Sequence, residues 1–456
     1  MINQSEYQDK SSKPHKQHES TRAMSKLSFA QEGQKQSSLS TIFGITNSMV
    51  GSLCLVIPQV FQQCGIITCL IVMIILSLVQ YKTCQIMIIH QKEEELDSEH
   101  MIKRLLGKSW TQAFRVTSGT LLFIVGIIYF QLINLTLYPI LVLIFEKSNY
   151  TNYAMPSDGI TFDKFSIQWQ AIIIFLPLAS MLLLKDITKI IKFAHYGVVA
   201  IICYCIFIIY IFSANMININ EFKGDITWFT WNFIQPAGQF AFGFMVHNSV
   251  GQLIKNNANK ANNSRDLLIS YGIAAIIYGI IGTFGAIGIM GKTAVNPSTI
   301  LDFFSSTDYA VLFIEGLFLV HLVAAFPIFP YISIYQILET FYHKEYPQKF
   351  QWGLKGVFIC SCLIVQLFNI NVGIVISFDG AVCGFLLVYI IPVYMHFKCY
   401  YGNRTNVGDA LLDHDSNCVK HKNINYLSLP LRVIIYLIIL CVGIFNMIIF
   451  FYDFFK

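Results

Sequence analysis

The chain has 456 residues, of which 55% are hydrophobic and 12% charged, with a mean hydropathy of +0.57 and a formal net charge of +5. That balance excludes an ordinary soluble domain. Most of the twelve cysteines sit in apolar stretches or on the basic side of them, and the polar loops 146–167, 214–230 and 291–306 contain none. No disulfide framework is implied.

Residues 1–40 are polar, rich in Ser, Gln and Lys, and read as a disordered tail with no secretory signal. Eleven apolar stretches of membrane-crossing length follow, at 41–63, 66–89, 112–145, 168–185, 191–213, 231–254, 266–290, 307–337, 353–371, 374–398 and 427–452. The stretch 112–145 exceeds one crossing, so it tilts or extends past the bilayer. The expected chain is an all-α polytopic membrane protein with segments 1–40, 41–213, 231–398, a loop at 399–426 and a last helix within 427–456.

The first stretch is interrupted by Asn47, Ser48, Gly51 and Ser52, with Pro58 close behind. The sixth carries Gly238, Phe242 and Gly243, then His247 beside Asn248, and stops at a basic turn from Lys255 to Arg265. Polar groups and helix-loosening glycines are costly in lipid and persist where backbone and side chains line a cavity. Small residues alone would mean close helix packing, the reading that suits Gly119, Gly126, Gly279 and Gly282. Asn47, Ser48, His247 and Asn248 add donors and acceptors. Two interrupted helices in corresponding positions point to a solute site. The backbone groups freed there would hold the carboxylate and ammonium of a zwitterion, aided by half-helix dipoles. The expected ligands are Asn47, Ser48, Met49, Val50, Gly51, Ser52, Phe242, Gly243 and His247.

Glu315, His321 and Asp379 are ionisable groups inside apolar stretches. Asn47, His321 and Asp379 are the expected ion-coupling residues, histidine because it titrates near neutrality. Ala286 to Thr293 reads as a relaxed phosphate loop, but it closes a membrane helix and lacks the strand such a loop follows. His396, Cys399, His414, Cys418 and His421 match no zinc spacing, so no metal and no cofactor is expected.

With the N-terminus in the cytosol, 26 of the 31 Lys and Arg fall on the cytosolic side and five opposite, at Lys147, Lys164, Lys223, Lys292 and Lys456. That bias supports the orientation and an odd number of crossings. It marks topology, and no nucleic-acid partner is implied. Asn149-Tyr150-Thr151 is then a usable glycosylation site on the opposite face.

Several motifs carry a family resemblance. They are Asn47 to Ser52 with Ile57-Pro58, Phe244-Met245-Val246-His247-Asn248 with Leu253 to Asn257, Asn262 to Leu267, and Leu301-Asp302. Gly380-Ala381-Val382-Cys383-Gly384 completes the set. Together they resemble the amino acid/auxin permease superfamily, within it the sodium-coupled neutral amino acid transporters, closest to the lysosomal arginine-responsive member. The resemblance implies eleven helices, ten of them in a LeuT-like 5+5 inverted repeat over 41–213 and 231–398. It implies an amino acid substrate between helices 1 and 6, sodium or a proton as coupling ion, and a lysosomal or vacuolar membrane. The topology suits a plasma membrane equally. A sensor signalling through cytosolic partners is the alternative, though the short tail gives such partners little to hold. The family's helix-8 hydroxyl ligand for sodium is replaced here by Ala324 and Ala325. A family arginine is replaced by Glu315, and a family serine by Asp379.

Overall fold

The computed structural model describes residues 35–92, 95, 97–154, 159–182, 197–217, 226–292, 294, 297–305, 308–342, 347–405 and 429–454. Helix α1 (Ser38–Met49) starts where the Ser37 hydroxyl accepts the Ser40 N–H, a capping bond that satisfies one of the free amides of the first turn. After one 3₁₀ turn (Ser52–Leu55), Pro58 opens α2 (Ile57–Cys64), where its missing N–H costs nothing. Gly65 adopts φ 90°, with a Phe229 backbone atom 3.0 Å from where a Cβ would stand, and turns the chain into α3 (Ile66–His90).

A short amphipathic helix α4 (Ser98–Leu106), capped by Asp97, leads into α5 (Lys108–Lys147). The 40 residues of α5 span about 60 Å, roughly twice the hydrocarbon thickness, so it exceeds the expected 112–145 at both ends. Next come α6 (Ile167–Met181), α7 (Gly197–Ile217), α8 (Ile234–Gly243), α9 (Val250–Lys255) and α10 (Asn263–Gly288). The expected eighth stretch is two helices, α11 (Tyr309–Ala325) and α12 (Ile328–Phe341), because Pro327 withholds its N–H at the junction. Then follow α13 (Gln348–Leu367), α14 (Val372–Gly384), a π turn (Phe385–Ile390), α15 (Ile391–Thr405) and α16 (Leu429–Phe454).

Seven helical stretches among the described residues are long and apolar enough to cross a membrane, and two shorter apolar helices cover Ile167–Met181 and Ile434–Ile448. The protein is therefore an all-α polytopic membrane protein. The other two apolar stretches of the sequence, 41–63 and 231–254, are the broken ones.

Two expected boundaries shift. α1 begins inside the segment read as a 1–40 tail, because Ser37 caps it and Gln36 is already paired with the 256–258 loop; residues 1–34 lie outside the described residues. α15 runs to Thr405, into the expected 399–426 loop, whose remainder lies outside the described residues.

Glycines set the closest helix contacts. The Gly238 carbonyl of α8 stands where a side chain on Gly380 of α14 would be, and a Cβ on Gly238 would lie 2.8 Å from Ser377 Cβ. α5 and α12 are joined by the Ser333 hydroxyl, which donates to Gly119 O at 2.7 Å. Small residues let membrane helices approach until dispersion and such bonds hold them.

Candidate solute site at two helix breaks

α1 stops at Met49 with Val50 in an extended conformation, and its direction resumes only in α2. α8 stops at Gly243, and Phe244 to Ser249 make turns before α9. Each break frees main-chain carbonyls that the helix would otherwise satisfy. Left unpaired in an apolar interior, each would cost about 1–3 kcal/mol.

Donors from other helices meet them. The Tyr278 hydroxyl, on α10, lies 2.5 Å from Met49 O and 3.2 Å from Gly243 O. Tyr271, two turns earlier on the same helix, donates to Phe244 O at 2.9 Å. Tyr204 of α7 donates to Cys54 O at 2.9 Å. Gln80 of α3 donates through Nε2 to Ala241 O at 2.9 Å and Phe240 O at 3.3 Å. All four side chains are fully buried. By contrast, neither Gly51 nor Ser249 supplies a side-chain cap to the N–H groups of the turn that follows it. After Ser249 the backbone itself takes up most of these groups, Val250 N–H donating to Val246 O at 2.8 Å and Gln252 N–H to Ser249 O at 3.1 Å.

The expected ligands divide. Met49, Val50 and Ser52 are buried, and Gly51 and Phe242 are half-buried. At Gly51 a Cβ would meet the Tyr129 hydroxyl at 3.9 Å, an ordinary contact, so there is room here for an added carbon. At Gly243 a Cβ would collide with Leu53 Cδ2 and lie 3.3 Å from the Tyr278 ring. Gly243 therefore brings the two breaks together, while Gly51 is less tightly enclosed and faces the Tyr129 hydroxyl. Asn47 and Ser48 are exposed, and the Ser48 hydroxyl bonds back to Gly44 O at 2.9 Å.

His247 is held against α3. It is fully buried, with Nε2 at 2.8 Å from the Thr83 hydroxyl of α3, and its carbonyl accepts from Ser98 at 3.4 Å. Its ring anchors the second break to α3. Nδ1 has no partner.

Asn47, His321 and Asp379, the expected ion-coupling set, stand on α1, α11 and α14 with no hydrogen bond or ion pair joining them. His321 presses on Gly197 of α7, where a Cβ would fall within its ring, and lies 6.5 Å from the Tyr129 ring that borders Gly51. Asp379 is fully buried beside Cys383, one turn on. Glu315 is also buried, with Asp302 as a charged neighbour. Asp302 accepts the N–H groups of Ser298 and Thr299 at 2.7 and 2.9 Å.

Ala324 and Ala325 are buried at the end of α11. Asn149 is exposed just past the end of α5. The phosphate-loop look-alike is the C-terminal end of α10 followed by a Gly291 turn, with Thr293 outside the described residues. Of the His/Cys cluster, His396 pairs with His90 at 2.9 Å; His414, Cys418 and His421 lie outside the described residues.

Sequence reasoning missed Tyr204, Tyr271, Tyr278, Gln80 and Thr83. Gln80 carried a signal, being an amide in the middle of an apolar stretch. The tyrosines carried none, since a tyrosine in a membrane helix is ordinarily an apolar ring with a polar tip.

The model for the transmembrane amino acid transporter protein family matches residues 34–421. The neutral amino acid transporter 9 of Danio rerio is 26% identical over 263 residues, covering 53% of this chain and 46% of that one. That of Rattus norvegicus is 23% identical over 422 residues, covering 80% and 74%. The match spans about half the length of the first relative. The crystal structure of MhsT in complex with L-phenylalanine overlays 93% of this chain and 99% of its own at a TM-score of 0.44 and 13% identity, too slight a likeness to decide topology. On the family match, which takes in both helix breaks, the chain belongs to the transmembrane amino acid transporter protein family.

Proposed function

We propose that this chain is a secondary-active amino acid transporter that works by alternating access, holding its substrate between the breaks of α1 and α8. The observation that carries the proposal is the pairing of the breaks. Gly243 admits Leu53, Tyr278 touches carbonyls of both, and Gly51 has room for an added carbon beside the Tyr129 hydroxyl. The first N–H groups of the turn after Gly51 suit a carboxylate, and half-helix dipoles reinforce the fit.

In this reading the helices from α1 to α7 and from α8 to α15 form two inverted repeats of LeuT type, with α16 added. The N-terminus lies in the cytosol on the 26-to-5 split of basic residues. The resemblance to the lysosomal member favours a lysosomal or vacuolar membrane. Among the described residues no ion pair engages Asp379 or Glu315, and a cationic substrate side chain would need one of them to face the cavity. Desolvation of an unpaired cation therefore favours neutral or broad substrates.

Labelled glutamine uptake into proteoliposomes tests the proposal. Saturable uptake, accelerated by unlabelled amino acid on the opposite side, is the expected result. Binding without accumulation would favour a sensor that reports amino acids to cytosolic partners. Neither binding nor uptake of any amino acid would overturn both.

A further inference from the structure

The two breaks belong to helices nearly two hundred residues apart in sequence, and something must keep them in one geometry. Tyr271, Tyr204 and Gln80 each serve carbonyls of a single break. Tyr278 differs. Its hydroxyl oxygen faces Met49 O at 2.5 Å and Gly243 O at 3.2 Å, one from each break. A phenol carries one proton, so it donates fully to one acceptor at a time. The shorter contact takes it here, and Gly243 O is held weakly. The ring is fixed edge-on to Phe244 at 5.4 Å and packed near Phe240 at 6.4 Å. The ring, carried on α10, is therefore packed against α8 and the residue that follows it, while its proton is committed to α1.

We propose that Tyr278 is a positioning residue that couples the two breaks. Its single O–H sets the spacing of the Met49 and Gly243 carbonyls and passes from one to the other when the breaks move apart. The proposal rests on the reading that the breaks hold the substrate. The shared spacing fixes the amides that would meet the carboxylate, a group every amino acid carries. Loss of the hydroxyl should therefore weaken all amino acids by a similar factor, whatever their side chain.

Tyr278→Phe and Tyr271→Phe form the test pair. Both remove one buried phenol hydroxyl from the same helix, but only Tyr278 touches both breaks. Tyr278→Phe is expected to raise KM about tenfold, uniformly for glutamine, leucine and arginine, the size of one buried hydrogen bond. Tyr271→Phe should stay within about twofold, since its bond lies within one break. A second measurement needs no substrate. Amide hydrogen exchange in purified protein should rise in both 50–55 and 244–249 for Tyr278→Phe, and only in 244–249 for Tyr271→Phe. Exchange that rises in neither break or in one alone for Tyr278→Phe overturns the coupling. So does a KM change confined to one side chain or equal in the two variants. If the parent protein handles no amino acid while Tyr278→Phe still loosens both breaks, the transport reading fails and the coupling stands.

Discussion

Gly51 and Gly243 look alike in the sequence, each a glycine in a broken apolar stretch, yet their surroundings give them different tasks. A side chain at Gly243 must displace Leu53 and crowd the Tyr278 ring. Gly243→Ala should cost about 1–3 kcal/mol of stability through overpacking, measured as a lower thermal midpoint. At Gly51 a new Cβ would meet the Tyr129 hydroxyl at 3.9 Å, an ordinary contact, so Gly51→Ala should fold with a near-normal midpoint, and Gly51→Leu should lose amino acid uptake. A well-folded Gly51→Leu protein with normal uptake would remove Gly51 from the site. A separate residue-scale effect lies outside the membrane spans, in α4. Burial pushes the Asp97 carboxyl up, but the His100 hydrogen bonds outweigh it and hold it below its usual range. The Asp97 bond at 2.7 Å raises His100 in turn. The Asp97 contribution is present above its unfolded pKa and lost as pH falls through the lower folded one. The His100 contribution is present below its unfolded value and lost as pH rises through the higher folded one. The thermal midpoint of His100→Ala should therefore trail the parent most near about pH 5–6, and the gap should close by about pH 9. A gap that is flat across that range would show that the pair does not contribute.

At the scale of elements, the run Lys255 to Leu267 takes a role that its composition alone did not indicate. Gln36, just before α1, exchanges backbone hydrogen bonds of 2.8 Å with Asn256 and Ala258. That loop is held from behind by Asn257, whose Nδ2 donates to Asn263 Oδ1 at 2.8 Å and Asp266 Oδ2 at 2.9 Å. The Ser270 hydroxyl donates to Asp266 O at 2.8 Å and also lies 3.2 Å from Ile42 O, where the middle of α1 packs on α10. The polar motif thus clamps the start of the first broken helix. Asp266→Asn would turn an acceptor into a group that meets the Asn257 amide less well, at a cost of about 1–3 kcal/mol. The expected readout is faster amide exchange across 38–46, with little change in α13. Unchanged exchange in α1 would mean that the loop does not restrain it. The long α5 is easier to account for, since its apolar run continues into polar ends with good helix formers.

For the whole molecule, the coupling ion is the sharpest question. A sodium ion needs about six oxygens in a rigid arrangement, by analogy with other hard cations. Ala324 and Ala325 offer no side-chain oxygen at the position where the family supplies a hydroxyl. Tyr278, Tyr204 and Gln80 already occupy several of the carbonyls freed at the breaks. Uptake should therefore change by less than about twofold when choline replaces sodium at constant pH, well under the tenfold that 1.4 kcal/mol of lost ion binding would bring. A steep loss in choline would refute this and place sodium on backbone oxygens alone.

The sequence by itself determined the membrane class, the broad run of apolar helices and the two interruptions near Gly51 and Gly243. Those features are local. Lipid demands apolar length, and only particular residues break a helix within it. Which groups answer the interruptions was decided by tertiary structure. The donor for Met49 O lies 229 residues away and the donor for Cys54 O 150 residues away, separations at which no spacing pattern survives. The same holds for His247. Its place in a broken helix is legible as a polar residue in lipid, but its turn toward Thr83 depends on where α3 packs. The distinction between Gly51 and Gly243 is likewise tertiary, since a glycine's task depends on the atom that stands where its side chain would be.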